Sequence, residues 1–272
     1  EMSSRGLGDV YKRQSQYIVN FEVIDSTESS YKVKWSHKLE VFDSFDFTAE
    51  EIEFFGQYED IDVIFTTTEM GEFVEIENWE QIKDMMSKVM ADLIAFEQKN
   101  MTDEEIALYA DAMKPFESMY STKEGIEQLV YGELQYFHYP FGVMFDINET
   151  IEYEDALPNF LGGEPIRGDG KIYFESVDYD EESCVFYQEL SLNPKDTKEL
   201  LTNLFSQMGI DSKELSKMLK STKFTINDIN RYEYYYYPGI PIKIDVRRNS
   251  EVKILNEHVV GLDQTIIELI VE

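Results

Sequence analysis

The chain has 272 residues, 43% of them hydrophobic and 14% aromatic, with 24 Lys and Arg against 55 Asp and Glu for a formal net charge of −31. This length suits one large domain or two small ones, and the apolar content is too high for a disordered polyanion. So negative a surface argues against binding phosphate backbones or anionic lipid, both of which need clustered Lys and Arg.

In chain order, the first feature is a segment foreign to the rest. Residues 3–14 read Ser-Ser-Arg-Gly-Leu-Gly-Asp-Val-Tyr-Lys-Arg-Gln. The codons GAT-GTG-TAT-AAG-AGA-CAG encode Asp9 to Gln14 and resemble the transposon end used in sequencing libraries. CT-CGT-GGG-CTC-GGA supplies Arg5 to Gly8 upstream. Residues 1–14 are therefore set aside as an adapter-derived segment fused to a gene fragment from mixed-community DNA, with the native N-terminus missing. Without them the chain keeps 21 basic and 53 acidic residues.

A hairpin is predicted from Tyr17–Ile24 and Tyr31–Trp35 across a polar turn at 25–30, with Tyr31, Val33 and Trp35 on one face and Lys32 and Lys34 on the other. A second joins 61–68 to 72–76 around Gly71. Asn78 and Gln81 stand at N-cap and N3 spacing, and Trp79, Ile82, Met86, Val89, Leu93 and Phe96 then form one helical stripe. Thr102 and Glu105 make another capping box, Pro115 ends that helix, and a shorter helix runs from Thr122 to about Tyr131. Strands are predicted at Phe137–Phe145 and Glu149–Glu154, followed by a loop at 157–163. A long hairpin then joins 171–177 to 184–192. Pro194 opens a helix ending at Gly209, and an Asp211 and Glu214 box opens the next. Strands at 224–237, 240–246, 252–255 and 265–271 complete the chain.

Hairpin, helices and strands occur in that order twice. At an offset of 153, Phe21, Glu22, Asp25, Glu28, Ser30 and Leu39 fall on Phe174, Glu175, Asp178, Glu181, Ser183 and Leu192. Farther on, His138-Tyr139-Pro140 resembles Tyr236-Tyr237-Pro238. A duplication would place the two hairpins in equivalent positions.

The search for chemistry is largely negative. The chain has no Gly-rich phosphate loop, His-Glu-x-x-His or Gly-x-Ser-x-Gly motif. Cys184 is the only cysteine, which rules out an intramolecular disulfide and a Cys-rich metal site, and it reads as a small buried hydrophobe. No run approaches the ~20 apolar residues of a membrane helix. Asp178, Asp180, Glu181 and Glu182 lack the glycine and distal Glu of a helix–loop–helix calcium site and read as a solvated hairpin tip. Arg167-Gly168-Asp169, followed by Gly170, reads as a turn. No catalytic residue, metal ligand or cofactor is nominated. The aromatic strand around Tyr232, Tyr234 and Tyr236, echoed by Tyr136 and Tyr139, is the candidate ligand-binding surface, because tyrosine suits half-exposed concave sites.

These patterns predict an α+β fold of antiparallel curved sheets with helices packed on one face, arranged as two similar tandem half-barrel units. The predicted division is 1–14 (adapter), 15–156 (first unit with extra helices), 157–163 (linker) and 164–272 (second unit). Element order and apolar-aromatic strands resemble the half-barrels of bacterial lipoprotein carriers. The segments Gly71-Glu72-Phe73 to Asn78-Trp79 and Leu157-Pro158-Asn159 to Gly162-Gly163 resemble uncharacterised exported proteins of gut-type bacteria. The resemblance implies a cell-envelope protein, exported to the periplasm or outer membrane as a lipoprotein. The expected function is non-enzymatic binding of an apolar or amphipathic ligand, or a partner, on a concave aromatic sheet. The alternatives are a glycan-binding module and an enzyme with an unrecognised site. A large apolar cavity would favour the first, an open groove with exposed Tyr rings the second, and converging His and acid groups the third.

Overall fold

Two short turns set the first sheet. Thr27 N–H donates to Ser30 O (2.9 Å), and Gly71 N–H donates to Thr68 O (3.0 Å) with Gly71 at φ +83°, a conformation that suits glycine. They close β1 (Gln16–Ser26) onto β2 (Ser30–Val41), and β3 (Val63–Thr68) onto β4 (Phe73–Ile76), giving a four-stranded antiparallel meander in the order β1-β2-β3-β4. The structure is a computed structural model that describes residues 16–41, 50, 54, 62–97, 102, 105–106, 121–157, 166–207, 219, 222–237, 239–254 and 257–270. The adapter-like segment, residues 158–163 of the expected linker and the helix expected from Asp211 lie outside the described residues.

The chain is α+β and divides into two compact units, Glu1–Gly142 and Val143–Glu272. In the first, β2 alternates as its sequence requires. Val33 and Trp35 are buried, while Lys32 and Lys34 pair outward with Glu77 (3.0 Å) and Asp62 (2.8 Å). Two helices, α1 (Trp79–Glu97) and α2 (Lys123–His138), cover the apolar side. Ile82, Ile126 and Leu134 from the helices meet Val33, Trp35, Val63, Phe65 and Ile76 from the sheet in one core. The first half of the expected stripe on α1, Trp79, Ile82 and Met86, faces this core. Its best-covered member is Ile82, however, with Trp79 and Met86 packed at the margin.

Caps follow the local chemistry in most places. Thr122 Oγ1 accepts from Gly125 N–H (3.1 Å) at the start of α2, and Thr102 and Glu105 form the reciprocal box expected of them. Asn78 differs. Its Oδ1 accepts from Ile64 N–H (2.9 Å) and its Nδ2 donates to Asp62 O (2.7 Å), so this side chain ties β3 to the start of α1 instead of capping the helix. A second difference is larger: the strand expected at Phe137–Phe145 is the end of α2 followed by turns. Phe137 falls at helical spacing with Ile126, Val130 and Leu134, and packing of that face on the core carries the helix to His138.

The second unit is a six-stranded antiparallel sheet in the order β10-β9-β8-β7-β6-β5. Its strands are β5 (Ile151–Leu157), β6 (Ile166–Asp178), β7 (Ser183–Leu192), β8 (Lys223–Tyr235), β9 (Ile240–Ile254) and β10 (Glu257–Glu268), with α3 (Pro194–Gln207) between β7 and β8. The predicted domain boundary moves as a result. β5, expected in the first unit, pairs along its whole length with β6, and the units divide between Gly142 and Val143. Strand β9 is continuous where two strands were predicted. Its polar middle, Arg247 to Glu251, is paired on both sides, and Arg248 makes a bidentate contact with buried Asp228 (2.8 and 2.7 Å). β10 correspondingly starts at Glu257 instead of Thr265.

The two halves are not built alike. β1, which carries Phe21, is an edge strand, whereas β6, which carries Phe174, lies between β5 and β7. His138 ends a helix, whereas Tyr236 and Tyr237 sit in the turn from β8 to β9. The six identities therefore reflect the small alphabet of hairpins rather than a duplicated unit.

Candidate functional site

The aromatic strand is divided, with Tyr232 and Tyr234 in the core and Tyr235 to Tyr237 exposed. Tyr232 is 0% exposed and lies parallel to Phe186, with centroids 4.8 Å apart at 10°. Tyr234 is also buried and packs against Phe186 (6.3 Å), and desolvation pushes its phenol pKa up. Phe174 and Phe145 complete this pile. Tyr236 falls beyond the end of β8, donates its N–H to Glu182 O (2.9 Å) and is 44% exposed, beside exposed Tyr235 and Tyr237. Tyr136 and Tyr139 are half-buried, on α2 and just after it, in the other unit. The five nominated tyrosines thus do not form one surface within either unit.

What sequence reading missed is the outward face of the six-stranded sheet. Registry sets side chains in rows across it. One row is Glu152, Lys171 and Glu189, and the next is Glu154, Asp169 and Ser191. These residues, with Tyr153 and Gly170 between the rows, line an open groove of about 570 Å³. Beside it the cross-strand pair Tyr173 and Tyr187 stacks in parallel, 5.5 Å apart at 11°. Tyr173 Oη donates to Glu189 Oε1 (2.7 Å), and Lys171 Nζ meets Glu189 Oε2 (2.9 Å) while lying 5.1 Å from the Tyr173 ring. The carboxylate beside it lifts the Tyr173 hydroxyl to about 12, and the same hydroxyl and Lys171 hold Glu189 below the usual carboxylate range. Lys171 apart, the lining side chains chiefly accept hydrogen bonds.

On the opposite face of the sheet, Gly170 makes room for Tyr153. A Cβ there would stand 2.4 Å from Cζ of Tyr153, so the ring covers a strand glycine. The Tyr153 hydroxyl then accepts from Gln188 Nε2 (2.6 Å), and Gln188 Oε1 accepts from Asn230 Nδ2 (2.9 Å). The tripeptide Arg167-Gly168-Asp169, expected to be a turn, is strand. Its Arg167 pairs with Glu154 (3.0 Å), and its Asp169 accepts from Asn193 (2.7 Å). Gly168 and Gly170 were misread as turn residues; counted as small inward-facing positions, they continue the alternation of β6.

In the first unit, His138 is 7% exposed among Phe65 (5.3 Å), Phe137 (5.1 Å), Phe141 (5.6 Å) and Phe21 (6.5 Å). Its Nδ1 donates to Gly71 O (2.8 Å), which fixes the tautomer, and Nε2 is buried without a partner. Burial lowers its pKa to about 4. Among the described residues this neutral imidazole touches aromatic rings and one carbonyl, a structural setting. His258 is exposed and pairs with Glu251 (3.2 Å). Cys184 is half-buried, and desolvation raises its pKa, which disfavours the thiolate.

Among the described residues, no group of three or more His, Cys, Asp or Glu side chains is placed to hold a metal ion, and no helix is long and apolar enough to cross a membrane. Compared with family models, curated proteins and solved structures, the chain matches none.

Proposed function

We propose that this chain is a non-enzymatic binding protein of a bacterial envelope that holds a glycan on the outward face of its six-stranded sheet. The observation that carries this reading is the open groove on β5, β6 and β7, floored by two rows of hydrogen-bonding side chains and flanked by the Tyr173 and Tyr187 pair. Sugar hydroxyls suit a lining of carboxylates and a serine, and pyranose C–H groups suit tyrosine rings. Four carboxylates against one lysine select neutral or amino-bearing sugars and reject sulfated or uronic ones. Tyr232 and Tyr234 are committed to the core, so the reading rests on the groove instead of on the aromatic strand. The envelope setting rests on the sequence resemblance.

Calorimetric titration with neutral, amino-bearing and acidic oligosaccharides tests the proposal. Binding of the first two classes should weaken at least about tenfold in Glu152→Ala/Glu154→Ala and in Tyr173→Ala, with melting unchanged. Saturable binding of a fluorescent fatty acid, unaffected by these substitutions and without glycan binding, would overturn it. Fractionation of source cells tests the location.

A further inference from the structure

β10 is an edge strand whose outward side is ready to pair. Leu269 N–H donates to Ile242 O (3.0 Å), and the β9–β10 register runs without a shift from Glu257 to Glu268. Odd-numbered residues of β10 therefore direct their N–H and C=O groups toward β9, and even-numbered ones direct theirs to the open edge. Those even residues include Val260, Leu262 and Ile266, exposed by 68%, 60% and 50%. A long, apolar edge of this kind, unpaired among the described residues, is a template for another strand.

We infer that β10 pairs with β10 of a second copy of this chain, antiparallel about a two-fold axis at Gln264. Charge favours a second copy at this edge. Residues 222–270 hold six Lys and Arg against seven Asp and Glu, a net −1 in a chain of −31. Two copies meeting there join nearly neutral parts of strongly acidic chains. The register centred on Gln264 pairs residues 260–268 of the two copies and sets Leu262 opposite Ile266, Val260 opposite Glu268 and Asp263 opposite Thr265, so no carboxylate faces another. Glu268 already pairs with Lys243, and Gln264 is held by Asp245 (2.7 Å). The symmetry is closed, so the product is a dimer rather than a filament.

Light scattering coupled to size exclusion, across a dilution series, tests this. The full chain should show twice the 31.9 kDa of one chain and dissociate on dilution, and added salt should favour the dimer by screening the acidic remainder. Leu262→Lys places a cation on the exposed face, and Ile266→Pro removes an outward N–H without touching the β9 ladder. Each should halve the mass with the far-UV spectrum and melting point retained. Should Ile266→Pro unfold the sheet, Leu262→Lys decides alone. A monomeric parent at every concentration, a mass above the dimer, or a dimer that survives Leu262→Lys would overturn the inference.

Discussion

Acidification should destabilise the first unit through His138 specifically. The folded protein holds this imidazole near pKa 4 against an ordinary 6.5, because the charged form would lose its hydration among Phe rings. Between those values the unfolded chain binds the proton and the folded chain does not. Stability contributed by the neutral ring is therefore full above the unfolded value and drains away as pH falls toward the folded one. At about 1.4 kcal/mol per unit, the whole shift corresponds to about 3 kcal/mol, of which about 2 is lost by about pH 5. Carboxylates elsewhere also titrate on acidification, so the variant His138→Leu supplies the comparison. It lacks the titrating ring and shares every acid. Both tryptophans, Trp35 and Trp79, lie in the first unit, and the Trp35 ring is 5.5 Å from Phe137, so their fluorescence in urea reports that unit alone. The parent should lose about 2 kcal/mol more than His138→Leu between neutral pH and about pH 5. Parallel profiles would refute a buried neutral imidazole.

Other substitutions test the packing. Ile82→Ala, at the centre of the first core, should cost about 2–5 kcal/mol, and Met86→Ala, at its margin, should cost less in the same urea titration. Gly170→Ala should displace the Tyr153 ring and its bond to Gln188, lowering the melting point of the second unit by several degrees, whereas Gly132→Ala, with open space around it, should not lower that of the first unit. Cys184 should react with iodoacetamide at neutral pH more slowly than a free thiol and reach full rate only in denaturant.

Local pattern was sufficient for much of this architecture. The period-two runs in β2, β6 and β7, the polar tip at 178–182, the helical stripe from Trp79 and the capping box at Thr102 are short-range facts, readable because side-chain direction repeats every two or 3.6 residues. The pattern also carried the α+β class. It did not say what each strand lies beside. Whether Gly170 belongs to a turn or a strand depends on Tyr153, far back in the chain on the neighbouring strand, lying across it. The polar middle of β9 stays extended because Asp228 of the neighbouring strand receives Arg248. The run after Phe137 is helix and turn because a sheet from the first part of the unit waits to be covered. The candidate groove belongs to the same class: Glu152, Asp169, Lys171 and Glu189 are ordinary acids and a lysine among many until strand register sets them in rows. Sequence fixes which way a side chain can point, and long-range pairing decides what it points at, because burial and hydrogen-bond satisfaction are properties of neighbours.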